Sequence, residues 1–401
     1  MAGVRVLEVA SHVFVPVAGA ILAEWGAEVV KVEHPVTGDP YRGLATHGLH
    51  STYQGIDLNF QHANRGKRSV AIDLKAPEGR ALLARFAAQS DVFLTNLRSS
   101  ARRHLRIDLD DLRAANPAIV YVRGSGQGAR GPHADRAGYD IAAYWSRSGL
   151  SSLTAPQDGE PPRFPPPAFG DYAGGLAIAG AISAALYQRA VTGVPSEIDV
   201  SLLGVGMWQI QPDIVDAALR GPGADKPPRD RFATWNPLVE HYRTRDGRLI
   251  ALVMIDADRN WPDLCAAIGA PELVDDPRFA DLAARREHCR ECVEALDAIF
   301  ARRDHADWCE ALAGLGGAWA PVQSPGEVAH DPQVVANGYL GEVDLGVGDP
   351  LPSVAAPFQF DGRPTPPQRS PEHGEHTEQQ LLELGLTWAD ITALKEAGVI
   401  A

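Results

Sequence analysis

Asp171 is the residue that first invites a chemical reading. It sits in PPPAFGDYAGGLAIAGAISAALYQRAVTG (165–193), where a proline run gives way to a long apolar helical pattern. Asp is a favoured N-cap, whose oxygen satisfies free backbone N–H groups at a helix start. A lone carboxylate at a helix mouth can also act as a nucleophile, because the helix N-terminus favours an anion there. Gly170, Gly174 and Gly175 beside it would leave room for a substrate and for backbone N–H groups to hold an oxyanion. A second candidate, GQGARG (126–131), matches the dinucleotide fingerprint, but Pro132 follows where that fingerprint needs a helix to start. A third, Cys289 and Cys292 with His288 alongside, has metal-ligand spacing but no second pair, since Cys265 and Cys309 are isolated. These thiols are expected to line or flank a helix face. Two basic runs, NRGKRSVAIDLKAPEGR (64–80) and NLRSSARRHLR (96–106), could meet a phosphorylated ligand or could be solvated loops.

The elements that would hold these residues follow from periodicity. Buried-strand patterns at 4–10, 27–33, 69–74, 91–97 and 118–126 alternate with helical patterns at 17–26, 77–90 and 108–117. That alternation predicts βαβ units and a Rossmann-like parallel sheet with helices on both faces. The reading is an α/β fold: a large domain over 1–205, a linker over 206–228, a smaller α+β domain over 229–330, and a return segment over 331–401 that packs on the large domain. The Pro- and charge-rich GPGADKPPRDR (221–231) marks the linker, and EHYRTRDGRLIALVMI predicts a hairpin turning at Asp-Gly.

Composition narrows the partners. A net charge of −14 argues against a nucleic-acid or anionic-membrane surface, both of which demand a basic face. Four cysteines in so long a chain make no disulfide framework, which suits a reducing, cytoplasmic compartment. No signal-peptide pattern opens the chain, and the apolar stretch Leu176–Leu186 is about half a bilayer span.

Several segments together resemble the CaiB–BaiF family, the class III coenzyme A transferases. They are GVRVLEVA, LAEWGAEVVKVEHPVTGDPYR, NRGKRSVAIDLKAPEGRALL, DVFLTNLR, NPAIVYVRGSGQG, AGYDIAA, FGDYAGGL and EIDVSLL, then YRTRDGRLIAL, DDPRFAD, DPQVVANGYL and GEHT. Their order and spacing span nearly the whole chain. The resemblance implies an acyl-CoA:carboxylate CoA-transferase with Asp171 as nucleophile. The carboxylate attacks the acyl-CoA thioester to give an acyl-aspartyl anhydride, and the released CoA thiolate returns to form aspartyl-CoA. The acceptor acid then displaces CoA, a second anhydride forms, and CoA leaves on the new acyl group.

The resemblance also implies substrate or CoA contacts at Val13, at Ile72, Asp73, Leu74 and Lys75, and at Asn96, Leu97 and Arg98. It extends them to Arg103 beside His104, where members often carry a phosphate-binding arginine, and to Tyr139 and Asp140 of G-Y-D. Coenzyme A is then substrate and product, with no tightly bound cofactor and no metal. The partners are acyl-CoA, a carboxylic acid acceptor and a second copy of the chain in an interlocked homodimer. The Gly-rich loop that closes over some members' sites is absent from LVMIDADRNW (252–261). The same fold hosts α-methylacyl-CoA racemases, which use His in G-H-D as one of two acid/base groups. Tyr139 takes that place here, and a phenol with pKa about 10 is a poor base at neutral pH, which favours transfer. A non-catalytic CoA-binding protein would be expected to lose Asp171.

Overall fold

The computed structural model describes residues 1–156, 160–221, 223, 226–346 and 348–401. The chain forms two compact units, one of Met1–Ser152, Arg163–Asp225 and Gln333–Ala401, the other of Leu153–Pro162 and Lys226–Pro332. The expected linker, 206–228, includes residues 222, 224 and 225, which lie outside the described residues. Its first part is helical, within Leu202–Gln209 and Gln211–Arg220.

The first unit is built on a six-stranded parallel sheet of β1 (Arg5–Val9), β2 (Glu28–Glu33), β3 (Arg68–Ala71), β4 (Val92–Thr95), β5 (Val120–Ser125) and β6 (Glu197–Ser201). Their order is β3-β2-β1-β4-β5-β6, and every neighbouring pair is parallel. The connections include α1 (Phe14–Glu24), α2 (Leu58–Asn64), α3 (Pro77–Ala88), α4 (Ser99–Leu105), α5 (Leu109–Ala115) and α6 (Phe169–Thr192). Strands with both faces covered must be apolar on both, and Val6, Leu7, Val92, Phe93, Leu94, Val120 and Val122 are all buried. Burying each such side chain contributes about 1.5–3 kcal/mol.

The strand order reverses between β1 and β4. In a sheet of this type, ligands bind outside the carboxyl ends of the strands at that reversal. One face carries α1 and α6, packed together in a core with Phe14, Val17, Ile178 and Ile182. By length and composition α6 could cross a membrane, but Gly174, Gly175, Ile178, Ala179, Ile182 and Ala185 make it a core helix of this unit. The glycines were expected to leave room for substrate. Instead a Cβ on Gly174 would lie 2.3 Å from the Phe14 ring and one on Gly175 2.5 Å from Val17, so both serve the contact between α6 and α1.

The far end of the chain closes the β3 edge. His376 N–H donates to the Ser69 carbonyl (2.9 Å), Ala71 N–H to Thr377 Oγ1 (3.0 Å) and Asp73 N–H to the Val399 carbonyl (2.8 Å). Ile72 and Ile400 form an antiparallel bridge. The free backbone of an edge strand is thereby paired.

The second unit holds a three-stranded antiparallel sheet of β7 (Val239–Arg243), β8 (Leu249–Val253) and β9 (Trp319–Pro321), with β8 central. The expected hairpin joins β7 to β8 in register Arg243↔Leu249, and Gly247 takes φ 80° at the turn. Cys289 and Cys292 lie on α7 (Cys289–Phe300), buried in a core with Trp261, Phe300 and Trp308. Burial pushes both thiols up, Cys292 to about 12, and all four cysteines are unpaired. Thiols held neutral in this way pack as small apolar groups.

Candidate active site

A buried ion network sets the loops that wall the site. Lys31 Nζ donates to Glu8 Oε1 (3.0 Å) and the Ala10 carbonyl (2.8 Å), and pairs with Asp39 Oδ2 (2.8 Å). Lys67 Nζ meets Glu8 Oε2 (2.8 Å), the Pro16 carbonyl (2.7 Å) and Asn64 Oδ1 (3.0 Å). Burial works against both lysines. For Lys31, Asp39, Glu8 and Glu33 outweigh it and raise the pKa; for Lys67, burial wins and leaves it at about 8. The other oxygen of Asp39 accepts the N–H of His12 (3.1 Å) and of Tyr41 (2.9 Å). This fixes the β1–α1 loop with His12 in the left-handed region (φ 63°). The His12 ring then stands edge-on to Tyr139 and Tyr41, with centroids 5.7 and 6.0 Å away.

Asp171 lies in the first turn of α6, and it does not cap that helix. The N-cap position belongs to Ala168, itself left-handed at φ 64°, and no side chain of that residue caps. The Gly170 N–H donates instead to Asp140 Oδ1 (3.0 Å), thirty positions back. A Cβ on Gly170 would sit 2.2 Å from the Tyr144 ring and 2.5 Å from that oxygen, so this glycine permits the close approach. Among the described residues the Asp171 carboxylate has no hydrogen-bond or ion-pair partner. Burial, then the nearby Asp140 charge, pushes its pKa up to about 7. The helix N-terminus was expected to favour the anion; here desolvation and a like charge outweigh it.

This has a kinetic consequence. A carboxylate nucleophile must be ionised, so kcat/KM should rise with pH through about 7 and then level. At pH 6 it should be about tenfold below the plateau. A flat profile from pH 5 to 8 would contradict an Asp171 nucleophile of this basicity.

Two cavities open at the carboxyl ends of the strands. The first, about 190 Å³, lies across the strand reversal and is lined by Ile72, Asp73, Leu74, Lys75 and Leu97, with Leu105 opposite. The second, about 580 Å³, is lined by Asn96, Leu97, Arg98 and Arg103 and by further arginines at 102, 123, 130 and 136. Leu97 borders both. Most of the predicted contact residues thus fall into one pair of neighbouring cavities. Val13 and Ile72 have buried side chains within the cores. Asn96 clamps the β1–α1 loop through the Ser11 N–H (3.0 Å) and carbonyl (2.7 Å). His104 is exposed and lines neither cavity, and Tyr139 is 67% exposed.

The basic runs divide in a way composition could not reveal. Arg65 pairs with buried Glu24 (2.7 Å), Lys67 with Glu8, and Arg80 donates to the carbonyls of Leu74 (3.3 Å) and Lys75 (2.7 Å). Arg102 is tied to Asp108 (2.8 Å) and the Leu97 carbonyl (2.7 Å), and Arg123 to Glu197 (2.5 Å) and Asp199 (2.7 Å). Among the described residues, the side-chain cations of Lys75, Arg98 and Arg103 have no hydrogen-bond or ion-pair partner, and they line the cavities. Arg130 and Arg136, which the sequence reading passed over, line the larger one. The GQGARG loop runs on without a helix, and Gly126 packs against Gly138, where a Cβ would be 2.6 Å from the Gly138 Cα.

A family model described as CoA-transferase family III matches residues 1–377. The chain is 33% identical over 393 residues to a succinate–glutarate CoA-transferase of Agrobacterium fabrum, covering 96% of this chain and 95% of the relative. It is 28% identical over 404 residues to an (R)-2-hydroxy-4-methylpentanoate CoA-transferase of Clostridioides difficile, covering 99% and 98%. A crystal structure of a CAIB/BAIF family protein from Brucella suis superposes with a TM-score of 0.83 at 28% identity, over 96% of this chain and 98% of that one.

Proposed function

The chain belongs to CoA-transferase family III, and from that premise we propose that it moves CoA from an acyl-CoA to a carboxylic acid acceptor by way of Asp171. It is an enzyme that transfers CoA; the route through aspartyl anhydrides and an aspartyl-CoA thioester is the reading the site supports best. The observation that carries it is a half-buried carboxylate, free of partners and raised to about 7, at the mouth of a helix whose capping is done by another residue. A basic carboxylate attacks a thioester more readily than an ordinary one, and partial burial thins the water shell that competes for it. Coenzyme A is substrate and product in this scheme, with no tightly bound cofactor.

We assign CoA's phosphates to the open cations Lys75, Arg98 and Arg103, with Ile72, Asp73, Leu74, Asn96 and Leu97 shaping the cavities around the nucleotide. Val13, Tyr139 and Asp140 flank the acyl end, and His104 stays at the rim. Lys75→Ala should weaken CoA binding by about 1–3 kcal/mol, the range for hydrogen bonds to charged groups. Added salt should weaken the wild type more than the variant, as calorimetry would read. A homodimer whose subunits interlock completes the proposal. Tyr187, Trp208 and Leu219 are 74%, 77% and 83% exposed along α6 and the two helices after β6, and large apolar groups of this kind mark a covered surface. Four free thiols support a cytoplasmic setting.

The test uses succinyl-CoA as donor and glutarate as acceptor, the acids in the name of the Agrobacterium relative. Donor alone followed by hydroxylamine should leave a hydroxamate at Asp171, found by peptide mass spectrometry. Turnover of this pair with no trapped Asp171 would refute the covalent route.

A further inference from the structure

We infer that Asp140 is a positioning residue for the proposed nucleophile: it takes over the capping of α6, which frees the Asp171 carboxylate, and it sets its own negative charge against that carboxylate. The inference rests on the reading of Asp171 as the reacting group and adds to it the device that makes the group reactive.

Four observations converge on Asp140. It is 5% exposed, far too enclosed for an ordinary surface acid. Its Oδ1 accepts the Gly170 N–H at 3.0 Å, and the Phe169 N–H also favours its anion. Among the described residues its Oδ2 is buried with no hydrogen-bond partner, and a buried polar atom in that state is unfavourable. It opens the π-helix Ile141–Ser146, a rare geometry that concentrates at functional sites. The π-helix carries Tyr144, whose ring fills the space above Gly170 and whose hydroxyl bonds Gln209. Asp140 is therefore held rigidly against the first turn of α6.

Ordinary capping would not need a second acid beside the first. Ser or Asn caps a helix as well as Asp does, without adding a charge. What Asp provides here is repulsion. The other groups around Asp171 supply no countercharge: Tyr41 comes from the loop after β2, Tyr172 from α6 itself, and His62 with Arg65 from α2 beyond Tyr172. Burial holds His62 neutral, with its pKa down at about 4, and Arg65 is engaged with Glu24. Among the described residues Asp140 is thus the one neighbour whose charge acts directly on Asp171, and burial is the larger force behind the raised pKa.

The test separates cap from charge. Asp140→Asn keeps an acceptor oxygen for the Gly170 N–H and removes the negative charge. Asp140→Ser does the same with a shorter side chain, should the first variant fold poorly. Carboxyl carbons are followed by 13C NMR from pH 4 to 9, and the Asp171 signal is assigned as the one missing from Asp171→Asn. In either Asp140 variant the Asp171 midpoint should fall by about 1 pH unit or more. An unchanged midpoint in both would overturn the inference and leave Asp140 as a cap alone. The pH profile of kcat/KM with succinyl-CoA and glutarate is measured in parallel, and its acid limb should move with the NMR midpoint. If the midpoint moves and the acid limb does not, the Asp140 inference stands and the nucleophile assignment is what fails.

Discussion

Asp171→Ala should abolish CoA transfer, with a loss of at least about 10³–10⁴-fold in kcat, while CoA itself should still bind. Nucleophilic catalysis divides one difficult exchange into easier steps, and the other acid at this helix mouth, Asp140, is buried with Oδ1 engaged by the Gly170 N–H. The cations proposed for the phosphates, Lys75, Arg98 and Arg103, line the cavities at the strand ends, so the variant should keep its affinity for CoA. Asp171→Asn carries a second expected result that concerns folding. Asp171 has its folded pKa raised to about 7, from 3.8. The native state therefore holds a proton that the unfolded chain releases, and this residue's contribution to stability falls as pH rises from about 4 to 7. Removing the charge should make the variant more stable than wild type at pH 8, with a ceiling of about 4 kcal/mol, and indistinguishable at pH 4. Denaturant titrations at the two pH values check the sign. A variant both fully active and no more stable at pH 8 would remove Asp171 from the site.

The second large effect comes from Glu8. Its carboxylate bridges two fully buried ammonium groups, and neither can reach water. Glu8→Ala leaves Lys31 with Asp39 and Lys67 with only neutral acceptors, so it should cost about 3–5 kcal/mol at pH 7, the range for breaking a buried ion pair by removing one partner. Part of the loss should be recovered as pH rises. Lys67 already sits at about 8 against an ordinary 10.5, so the native state sheds its proton before the unfolded chain does, and stability climbs between those values. Without Glu8 that climb should begin at lower pH. A loss below about 1 kcal/mol at pH 7 would mean that the network is not the support described here.

The sheet was legible wherever both faces of a strand are buried. RVLEV, EVVKVE and VFLT are short runs rich in β-branched and apolar residues, and such runs are found from sequence even where Glu8, Lys31 and Glu33 interrupt them. The sixth strand, EIDVS, escaped the pattern because it is an edge with exposed Glu197 and half-exposed neighbours, so its residues alternate with polar ones. Asp171 was visible in the sequence, but its reactivity was not. Its basicity depends on burial and on an acid thirty residues earlier, and capping by Asp140 is a contact between segments that no local rule connects. The basic run at 64–80, open in sequence between a phosphate site and a solvated loop, was ambiguous for a related reason. Arg65 and Lys67 look like phosphate ligands until their partners, Glu24 and Glu8, are seen on elements more than forty residues away. Of the basic side chains in that run, Lys75 is the one that lines the smaller cavity. The glycines of α6 had the same ambiguity: small residues beside a reactive group suggest room, and here the room is filled by Phe14, Val17 and Tyr144.

Translation runs from β1 onward, and the closing of the β3 edge by the last residues therefore makes this an enzyme that finishes late. Ser69, Ala71 and Asp73 leave the ribosome early, yet their hydrogen-bonding partners lie at 376–399. At about 5–20 residues per second, that strand waits on the order of tens of seconds with its backbone open. During the wait both segments of the second unit, Leu153–Pro162 and Lys226–Pro332, are synthesised. The nascent sheet is thus a transient template for wrong pairing, and the C-terminal segment acts as the stopper that ends its exposure. A chain released before residue 376 would carry every residue of the site and still lack a closed sheet to hold it.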